Sequence, residues 1–229
     1  MSEHPYSVFE LRQYTLHPGM RDTLIDLFDR EFIESQEAVG CQVIGQFRDC
    51  DDPNRFVWLR GFADMAARAQ ALAAFYGGPV WKAHRDAANA TMIDSDNVLL
   101  LRHVDAGSGI DLAGLPRPPL NATAIPQKPL FITICHLAEP ADETFFSAFE
   151  DGVAKQLKTI GAPPLGRFVT EAAANNFPAL PVREGENVFA WVSRQPLPVD
   201  SLPMAMTARF CAPPQILHLS PTARSRLRI

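Results

Sequence analysis

The sequence predicts an α+β fold in which two ferredoxin-like halves, each with the element order βαββαβ, form an α+β barrel. Strand and helix patterns follow the same order in residues 1–105 and in residues 130–229. Between them, residues 106–129 are rich in proline and glycine and have the composition of a linker. Short motifs also recur in the two halves. We therefore expect two domains whose sheets bury their open faces against each other.

The recurring motifs keep the same order in both halves. First half before second, they are Phe9 and Phe131, Gly45-Gln46-Phe47 and Gly166-Arg167-Phe168, and Phe56-x-Trp58 and Phe189-x-Trp191. The stretch from Phe168 to Phe189 is twelve residues longer than the stretch from Phe47 to Phe56. Loops accept insertions at little cost, so this difference leaves the predicted order of elements unchanged.

The elements of the first half follow from periodicity and capping residues. Apolar and polar residues alternate in strands, whereas helices repeat apolar residues at three- and four-residue spacing. Asp64 is a good helix N-cap, Gly40 and Gly77-Gly78 are helix ends, and Pro79 suits a first helical turn. The predicted elements are a strand over 8–16, a helix from 20 to Gly40, strands over 43–48 and 55–62 joined by a turn at 51–54, a helix from Asp64 to 77, a short helix from Pro79 and a strand over 98–104.

The second half repeats this series with one weak element. The predicted elements are a strand over 130–137, a helix after Asp142, strands over 165–170, 188–193 and 215–219, and a doubtful short helix within 201–210. Proline-rich stretches flank the doubtful helix, so this copy of the pattern is degraded there. After the last strand, Arg224, Arg226 and Arg228 predict a solvated basic tail.

Composition excludes several classes of protein. The chain has 229 residues, of which 47% are hydrophobic and 21% charged, which is typical of folded globular proteins. Its formal net charge of -5 argues against nucleic-acid binding, which needs clustered Lys and Arg. Its apolar runs are far shorter than the roughly 20 residues that span a bilayer, so we expect no membrane segment. Residues 1–5 resemble neither a secretory nor a transit signal, which predicts a cytoplasmic protein.

Local motifs for metal or nucleotide binding are absent from the sequence. The four cysteines form no C-x-x-C pair, and no H-x-x-x-H or H-E-x-x-H spacing occurs. The glycines match neither a dinucleotide-binding nor a P-loop pattern. We therefore predict neither a metal nor a nucleotide cofactor.

The strands of the first half place charged and aromatic residues on common faces. Glu10, Arg12 and Tyr14 share one face of a strand by period-two spacing, and Trp58 and Arg60 share a face of another. Two converging guanidinium groups would bind a carboxylate or stabilise an enolate where water is excluded. The structural alternative is that Glu10 forms cross-strand ion pairs with Arg12 or Arg60 that organise the barrel or a dimer interface.

Three histidine and tryptophan positions add candidates. Trp81 and His84 share a helical face with Ala88, which would put an imidazole beside an indole at a cavity wall. His84 could then be a general base or a haem ligand, or simply a packed, hydrogen-bonded residue. His136 aligns with Tyr14 when the halves are aligned on Phe9 and Phe131, so it would either face the same interior or be a satisfied core histidine.

Several separated motifs of the first half resemble one family. They are Glu10-Leu11-Arg12-x-Tyr14-x-Leu16-x-Pro18-Gly19, Phe56-Val57-Trp58, Arg68 in the next helix, and Trp81 after Pro79. Together they resemble the NIPSNAP family over about the first hundred residues. The resemblance implies a dimeric α+β barrel, a fold shared with antibiotic-biosynthesis monooxygenases, muconolactone isomerases and some haem-handling proteins. It implies no defined activity, because fold alone does not give function.

The leading functional hypothesis is a cofactor-independent enzyme, monooxygenase- or isomerase-like, that acts on a small aromatic or carbonyl-bearing substrate. Its catalytic residues would be His84, Arg12, Arg60 and Tyr14, and its substrate-binding residues Trp58, Trp81, Glu10 and His136. In the second half Ile132, Ile134, His136 and Ser193 align with Glu10, Arg12, Tyr14 and Arg60, so the first half would hold the site. The alternatives are a non-catalytic carrier of haem or another small molecule, and an interaction or scaffold protein. A homodimer is expected under each hypothesis.

Overall fold

The structure is a computed structural model that describes residues 5–228. Residues 1–4, on which the cytoplasmic prediction mainly depends, lie outside the described residues. In the described chain the strands are β1 (Val8–Leu16), β2 (Gln42–Asp49), β3 (Arg55–Phe62), β4 (Met92–Asp94), β5 (Val98–His103), β6 (Leu130–His136), β7 (Gly166–Thr170), β8 (Val188–Ser193) and β9 (Gln215–Pro221). All the predicted strands are present, whereas the three-residue β4, which pairs with the end of β1, is not predicted by the sequence.

The helices follow the predicted positions, with two interruptions. In chain order they are α1 (Arg21–Leu27), α2 (Ile33–Glu37), α3 (Met65–Gly77), α4 (Pro79–Asn89), α5 (Glu143–Ala148), α6 (Lys155–Thr159) and the short α7 (Met204–Thr207). A π-helical turn over Phe28–Phe32 joins α1 to α2, and a second one over Phe149–Ala154 joins α5 to α6. Asp64 and Asp142 cap α3 and α5 as predicted, each accepting a hydrogen bond from the backbone N–H three residues later. A π-helical turn has no simple sequence signature, so the first helix of each half was expected to be continuous.

Eight of these strands form a barrel that closes within one chain. The strand order is β1-β3-β2-β9-β6-β8-β7-β5, and β5 pairs with β1 to complete the circle. The first half contributes β5-β1-β3-β2 and the second half β9-β6-β8-β7, which is the same ferredoxin-like order of fourth, first, third and second strand. Antiparallel pairing of β2 with β9 and of β5 with β7 joins the halves. The predicted α+β barrel is confirmed.

The interior of the barrel is a packed apolar core supplied by both halves. Alternating residues of every long strand point inward, as period-two spacing requires, and include Phe9, Leu11, Ile132 and Leu217. The repeated Gly-x-Phe motif has a packing role here, because the ring of Phe47 lies so close to Gly45 that a Cβ atom there would clash with it. The helices lie on the outer surface of the barrel, where separate apolar clusters pack beneath them.

Strand pairing shows that the alignment of the two halves is wrong by one residue at their first strands. Arg12 pairs with Trp58, and in the second half the partner of Trp191 is Thr133. The counterpart of Arg12 is therefore Thr133 rather than Ile134. A one-residue shift moves a side chain to the opposite face of a strand, which is why Ile134 lies in the barrel core.

The same correction applies to the histidine of the second half. Tyr14 pairs with Phe56, and the partner of the equivalent Phe189 is Cys135. The expectation that His136 takes the position of Tyr14 is therefore wrong, because His136 lies on the opposite face of its strand.

The predicted solvated tail is also a packed element. Arg224 is 3% exposed, ion-pairs with Glu34 and donates to the carbonyl oxygen of Pro118 at 3.3 Å. Arg226 donates to the carbonyl oxygen of Leu115 at 2.8 Å. Residues 106–129 contain neither helix nor strand. Proline lacks an N–H group, so few backbone donors are available to the carbonyl oxygens of this stretch. Arginine side chains of the C-terminal segment donate to them instead.

In the part of the chain that the structure describes, no helix is long and apolar enough to cross a membrane.

Candidate functional site

Two adjacent strands bring the predicted polar and aromatic set together. Glu10, Arg12 and Tyr14 share a face of β1, and β3 pairs Arg60 with Glu10 and Trp58 with Arg12. The residues between them along β1 point into the barrel core. These five side chains therefore lie on the outer face of the sheet, beneath the helices of the first half.

Glu10 is the centre of a buried ion-pair cluster. Arg12 Nη1 and Arg60 Nη2 each lie 2.6 Å from Glu10 Oε2, and Arg60 Nε donates to the same oxygen at 2.9 Å. Arg68 of α3 donates through Nε to Glu10 Oε1 at 2.7 Å. All four side chains are 0% exposed. We refer to Glu10, Arg12, Arg60 and Arg68 as the Glu10 cluster.

Neighbouring side chains fix the arginines in place. Arg60 Nη1 donates to Gln36 Oε1 at 2.9 Å, and Gln36 in turn donates to the carbonyl oxygen of Phe32 at 2.9 Å. Arg12 Nε donates to the hydroxyl of Tyr14 at 3.0 Å. Residues of β1, β3 and α2 therefore hold the guanidinium groups of Arg12 and Arg60 together.

Electrostatics keep Glu10 ionised. Burial alone would raise the pKa of Glu10, but attraction to Arg60, Arg12 and Arg68 outweighs it and holds that pKa far below its ordinary value. The same attraction raises the pKa of Arg60 against the opposing effect of burial. Three guanidinium groups face one carboxylate, so the fully buried Glu10 cluster carries a net charge of two positive units.

Aromatic rings cover the cluster. The Trp58 ring centre lies 4.9 Å from the guanidinium carbon of Arg60 and 5.6 Å from that of Arg12. Tyr76 of α3 lies 6.0 Å from Arg60 on the same measure, and its ring centre is 4.9 Å from that of Trp81. Such cation–π contacts are strongest where the cation is desolvated.

Two buried donors near this layer have no hydrogen-bond partner among the described residues. They are Nε1 of Trp58 and Nη2 of Arg68. Buried donors are nearly always satisfied in native proteins, so each unsatisfied one needs an explanation. An acceptor from a bound molecule would provide it.

The α4 candidates lie at the edge of this arrangement. Trp81 packs between Phe32 and Phe75, with ring centres 5.5 and 5.8 Å away. His84 is a third exposed, its Nε2 lies 3.6 Å from Glu31 Oε2, and its ring centre is 6.4 Å from that of Phe32. Trp81 thus joins the aromatic cover, whereas the contacts of His84 are with Glu31 and Phe32.

His136 is not part of this group. Its Nδ1 lies 2.9 Å from Glu186 Oε2 in the second half, and Arg183 binds the other oxygen of the same carboxylate. Its structural surroundings are those of a paired histidine at the end of β6.

Sequence reasoning named Arg68 only within the family motif and gave it no role. A signal was available, since Arg68, Ala71, Leu72 and Phe75 occupy one face of α3 at three- and four-residue spacing, and all four are buried. A charged residue on an otherwise apolar helical face needs a buried partner, which here is Glu10.

The second half has no equivalent cluster. The counterparts of Glu10, Arg12 and Arg60 are Phe131, Thr133 and Ser193 by strand pairing. Within the described residues there is also no group of three His, Cys, Asp or Glu side chains that could hold a metal ion.

Comparison with known families identifies the first half. Residues 9–106 match the NIPSNAP family model. The first half of the chain therefore contains a NIPSNAP domain. The matched range begins in β1 and ends just after β5, so the NIPSNAP domain contains the whole Glu10 cluster.

Comparison with solved structures gives three further similarities. A NIPSNAP-like domain protein from Burkholderia xenovorans is 26% identical to this chain and covers 51% of it and 95% of its own chain, with a TM-score of 0.41. Proteins from Lactobacillus acidophilus and Fusobacterium nucleatum, each described as a "putative monooxygenase", are 12% and 8% identical over 94% and 96% of this chain and 94% of their own, both with a TM-score of 0.54. These last two share the fold of this chain along nearly its whole length. Comparison with curated protein sequences finds no match.

Proposed function

We propose that the NIPSNAP domain is a cofactor-independent enzyme that binds a small aromatic, carbonyl-bearing anion between the outer face of β1 and β3 and the helices α3 and α4. The observation that carries this proposal is the excess of two positive charges in the fully buried Glu10 cluster. An uncompensated buried charge costs several kcal/mol per ion, roughly, unless a counter-charge is supplied. A bound carboxylate or enolate would supply it.

The proposed chemistry uses the residues according to their positions. Arg12 and Arg60 hold the negative charge of the substrate, with Glu10 fixing their orientation and Tyr14 directing Arg12. Trp58 and Trp81 pack against the apolar part of the substrate. Once α4 closes again over the bound substrate, His84 accepts a proton from the carbon next to the carbonyl group and leaves an enolate, which the guanidinium groups stabilise.

The enolate has two outcomes under this proposal. If the substrate has a carbon–carbon double bond conjugated with the enolate, return of the proton from His84 to the far end of that double bond completes an isomerisation. In the monooxygenase form dioxygen is a second substrate: two hydrogen atoms leave the organic substrate, one oxygen atom enters it, and the other oxygen atom becomes water. Both forms need only the side chains of this chain and the substrates.

Access to the cluster requires movement of its cover. α4 buries Ala88, while Trp81 and His84 are partly exposed, and the helix follows the Gly77-Gly78-Pro79 sequence. Elements with few buried contacts open at low free-energy cost. We propose that α4 moves away from α3 to admit the substrate.

Phenylpyruvate tests the proposal, because it combines an aromatic ring, a ketone and a carboxylate. We expect binding measured by calorimetry, together with protein-dependent exchange of its methylene protons in deuterated water measured by NMR. Phenylacetone, which lacks the carboxylate, should bind at least tenfold more weakly, a difference of about 1.4 kcal/mol.

Matched variants separate the roles of the residues. His84→Gln should abolish exchange and leave binding intact, whereas His17→Gln, at an exposed histidine, should change neither. Arg60→Lys should weaken binding, with the partly exposed Arg48→Lys as its control. Binding without exchange would favour the alternative of a non-catalytic small-molecule carrier, and equal affinity for phenylacetone would contradict the anion site.

The homodimer and the cytoplasmic location are also proposals. Because the barrel closes within one chain, a dimer would add an interface rather than complete the barrel. Native mass spectrometry at micromolar concentration distinguishes a dimer from a monomer. The common strand order of the halves supports the further proposal that they arose by internal duplication.

A further inference from the structure

The second half contains an unusually long connection between its second and third strands. Residues 171–187 join β7 to β8, whereas residues 50–54 make the equivalent connection between β2 and β3. We refer to residues 171–187 as the long loop. Most strand connections are short, and a long ordered one often has a functional role.

The long loop is attached to the first half of the barrel. The N–H of Glu171 donates to the carbonyl oxygen of Leu100, and the N–H of Arg183 to that of Val98, both at 2.9 Å. Both acceptors belong to β5, the last strand of the first half. Between these two attachments, Phe177 and Leu180 pack against the apolar cluster beneath α3.

The centre of the long loop contacts Arg68 of the Glu10 cluster. Arg68 Nη1 donates to Asn175 Oδ1 at 3.0 Å and to Asn176 Oδ1 at 2.8 Å. Asn176 Nδ2 donates to the carbonyl oxygen of Met65 at 2.6 Å, which ties the loop to the start of α3. The next residue, Phe177, stacks on Tyr76 with ring centres 6.1 Å apart.

The chemical type of these partners is informative. Asparagine oxygens accept hydrogen bonds from a guanidinium group without cancelling its charge, whereas an aspartate in the same place would cancel one unit. Arg68 is thus positioned by three acceptors, of which only Glu10 is charged. The long loop preserves the positive charge of the cluster while it fixes the geometry.

We infer that the long loop of the second half is part of the site in the NIPSNAP domain, with Asn175 and Asn176 as positioning residues that hold Arg68 ready for an anionic ligand. The ligand part of this inference depends on the proposed function. The positioning part depends only on the contacts of Arg68.

The test uses the full-length chain and three variants. Asn175→Ala with Asn176→Ala removes both acceptors. Asn176→Asp keeps the acceptor for Arg68 but adds a negative charge and loses the donor to Met65. Glu184→Gln changes an exposed residue of the same loop. The readouts are the NMR signal of the Arg68 Nε–H group, assigned by its loss in Arg68→Lys, and the affinity for phenylpyruvate.

We expect the Arg68 signal to broaden or disappear in the double alanine variant and to remain in Asn176→Asp and Glu184→Gln. Phenylpyruvate affinity should fall in both asparagine variants, by on the order of tenfold in Asn176→Asp because one unit of excess charge is cancelled. A purely structural role of the loop would lower the affinity of Asn176→Asp no more than that of the double alanine variant, which lacks the same donor to Met65 and carries no added charge.

An unchanged Arg68 signal in the double alanine variant would overturn the inference. If that variant does not fold, as judged by near-ultraviolet circular dichroism, Asn176→Asp decides: wild-type affinity in this variant overturns the inference, and reduced affinity supports it. If the wild-type protein binds no phenylpyruvate, the proposed function fails, while the Arg68 signal still decides whether the loop positions the cluster.

Discussion

The buried carboxylate of Glu10 holds together the arginines on the outer face of β1 and β3. It accepts four hydrogen bonds from three arginines and is 0% exposed. No single arginine is equivalent to it, because each of the three arginines binds one of its two oxygens.

Glu10→Gln should therefore destabilise the protein severely. It removes the counter-charge of three buried guanidinium groups, so we expect a loss of about 3 to 5 kcal/mol in the free energy of unfolding, measured by urea denaturation. Asp22→Asn breaks the surface pair with Arg48 and should cost less than about 1 kcal/mol. Similar losses in the two variants would contradict the central role of Glu10.

Asp29 differs from Glu10 in that its pKa is raised, so its ionised form lowers the stability of the folded protein. Burial raises the pKa of Asp29 from 3.8 to about 6, although hydrogen bonding to Gln46 and the nearby Arg224 oppose the rise. The native state therefore binds this proton more tightly than the unfolded state does. The resulting stabilisation is fully present below pH 3.8 and is lost as the pH rises through about 6.

Asp29→Asn should flatten this part of the pH profile. Because one pKa unit corresponds to about 1.4 kcal/mol, we expect the variant to gain about 2 to 3 kcal/mol over the wild-type protein at pH 7 and little at pH 4. Thermal unfolding across this pH range measures the difference. Asp26→Asn, at an exposed position of the same helix, is the control, and an equal gain at both pH values would disprove the assignment.

Among the elements, α3 and α4 differ in how firmly they are attached. α3 is capped by Asp64 and buries Arg68, Ala71, Leu72 and Phe75, whereas α4 buries Ala88. The two helices are adjacent in the chain and cover the same cluster. Their different burial is the physical basis for treating α4 as the movable part of the cover.

Hydrogen exchange should distinguish the two helices. We expect the backbone amides of α4 to exchange at least tenfold faster than those in the centre of α3, because local opening of α4 exposes little apolar surface. Mass spectrometry of peptides over 65–77 and 79–89 measures this. Equal protection of both segments would exclude α4 as the route of access.

Most elements could be predicted from the sequence, because alternation and capping residues are local signals. The strand 188–193 and the N-caps Asp64 and Asp142 were placed correctly for this reason. The slip between β1 and β6 had a different cause. Aligning Phe9 with Phe131 matched two similar residues that occupy opposite faces of the sheet. Because successive side chains of a strand point to opposite faces, an error of one residue in the alignment assigns every side chain to the wrong face.

The candidate site was partly predictable for a related reason. Residues Glu10, Arg12 and Arg60 follow from strand periodicity, but their contact with Arg68 and with the long loop depends on distant parts of the chain. No local sequence pattern indicates that Arg68 donates hydrogen bonds to side chains 107 and 108 positions later in the chain. Long-range assembly of this kind becomes visible only in the folded chain.

At the scale of the whole molecule, the two halves share a single core. Residues from both lie in the same apolar cluster inside the barrel, and two seams of paired strands join them. Ile110, from the segment between the halves, is 6% exposed and belongs to this core as well. The halves therefore share the barrel interior, in addition to the separate clusters beneath their helices.

We expect the protein to unfold in one cooperative transition as a consequence. Trp58 lies in the first half and Trp191 in the second. In a Trp81→Phe background, one variant keeps only Trp58 and another keeps only Trp191. The fluorescence of the two variants should give the same urea midpoint once the effect of each substitution on stability is subtracted. The comparison with circular dichroism provides a third probe. Two separate midpoints would show that the halves are independently stable.

Closure of the barrel within one chain has a genetic consequence. In a barrel assembled from two identical subunits, every mutation appears twice, so a substitution that suits one site is imposed on the other. Here β1 and β6 are encoded separately, and the first can keep Glu10 and Arg12 while the second carries Phe131 and Thr133. One half can therefore change its outer face without imposing the same change on the other.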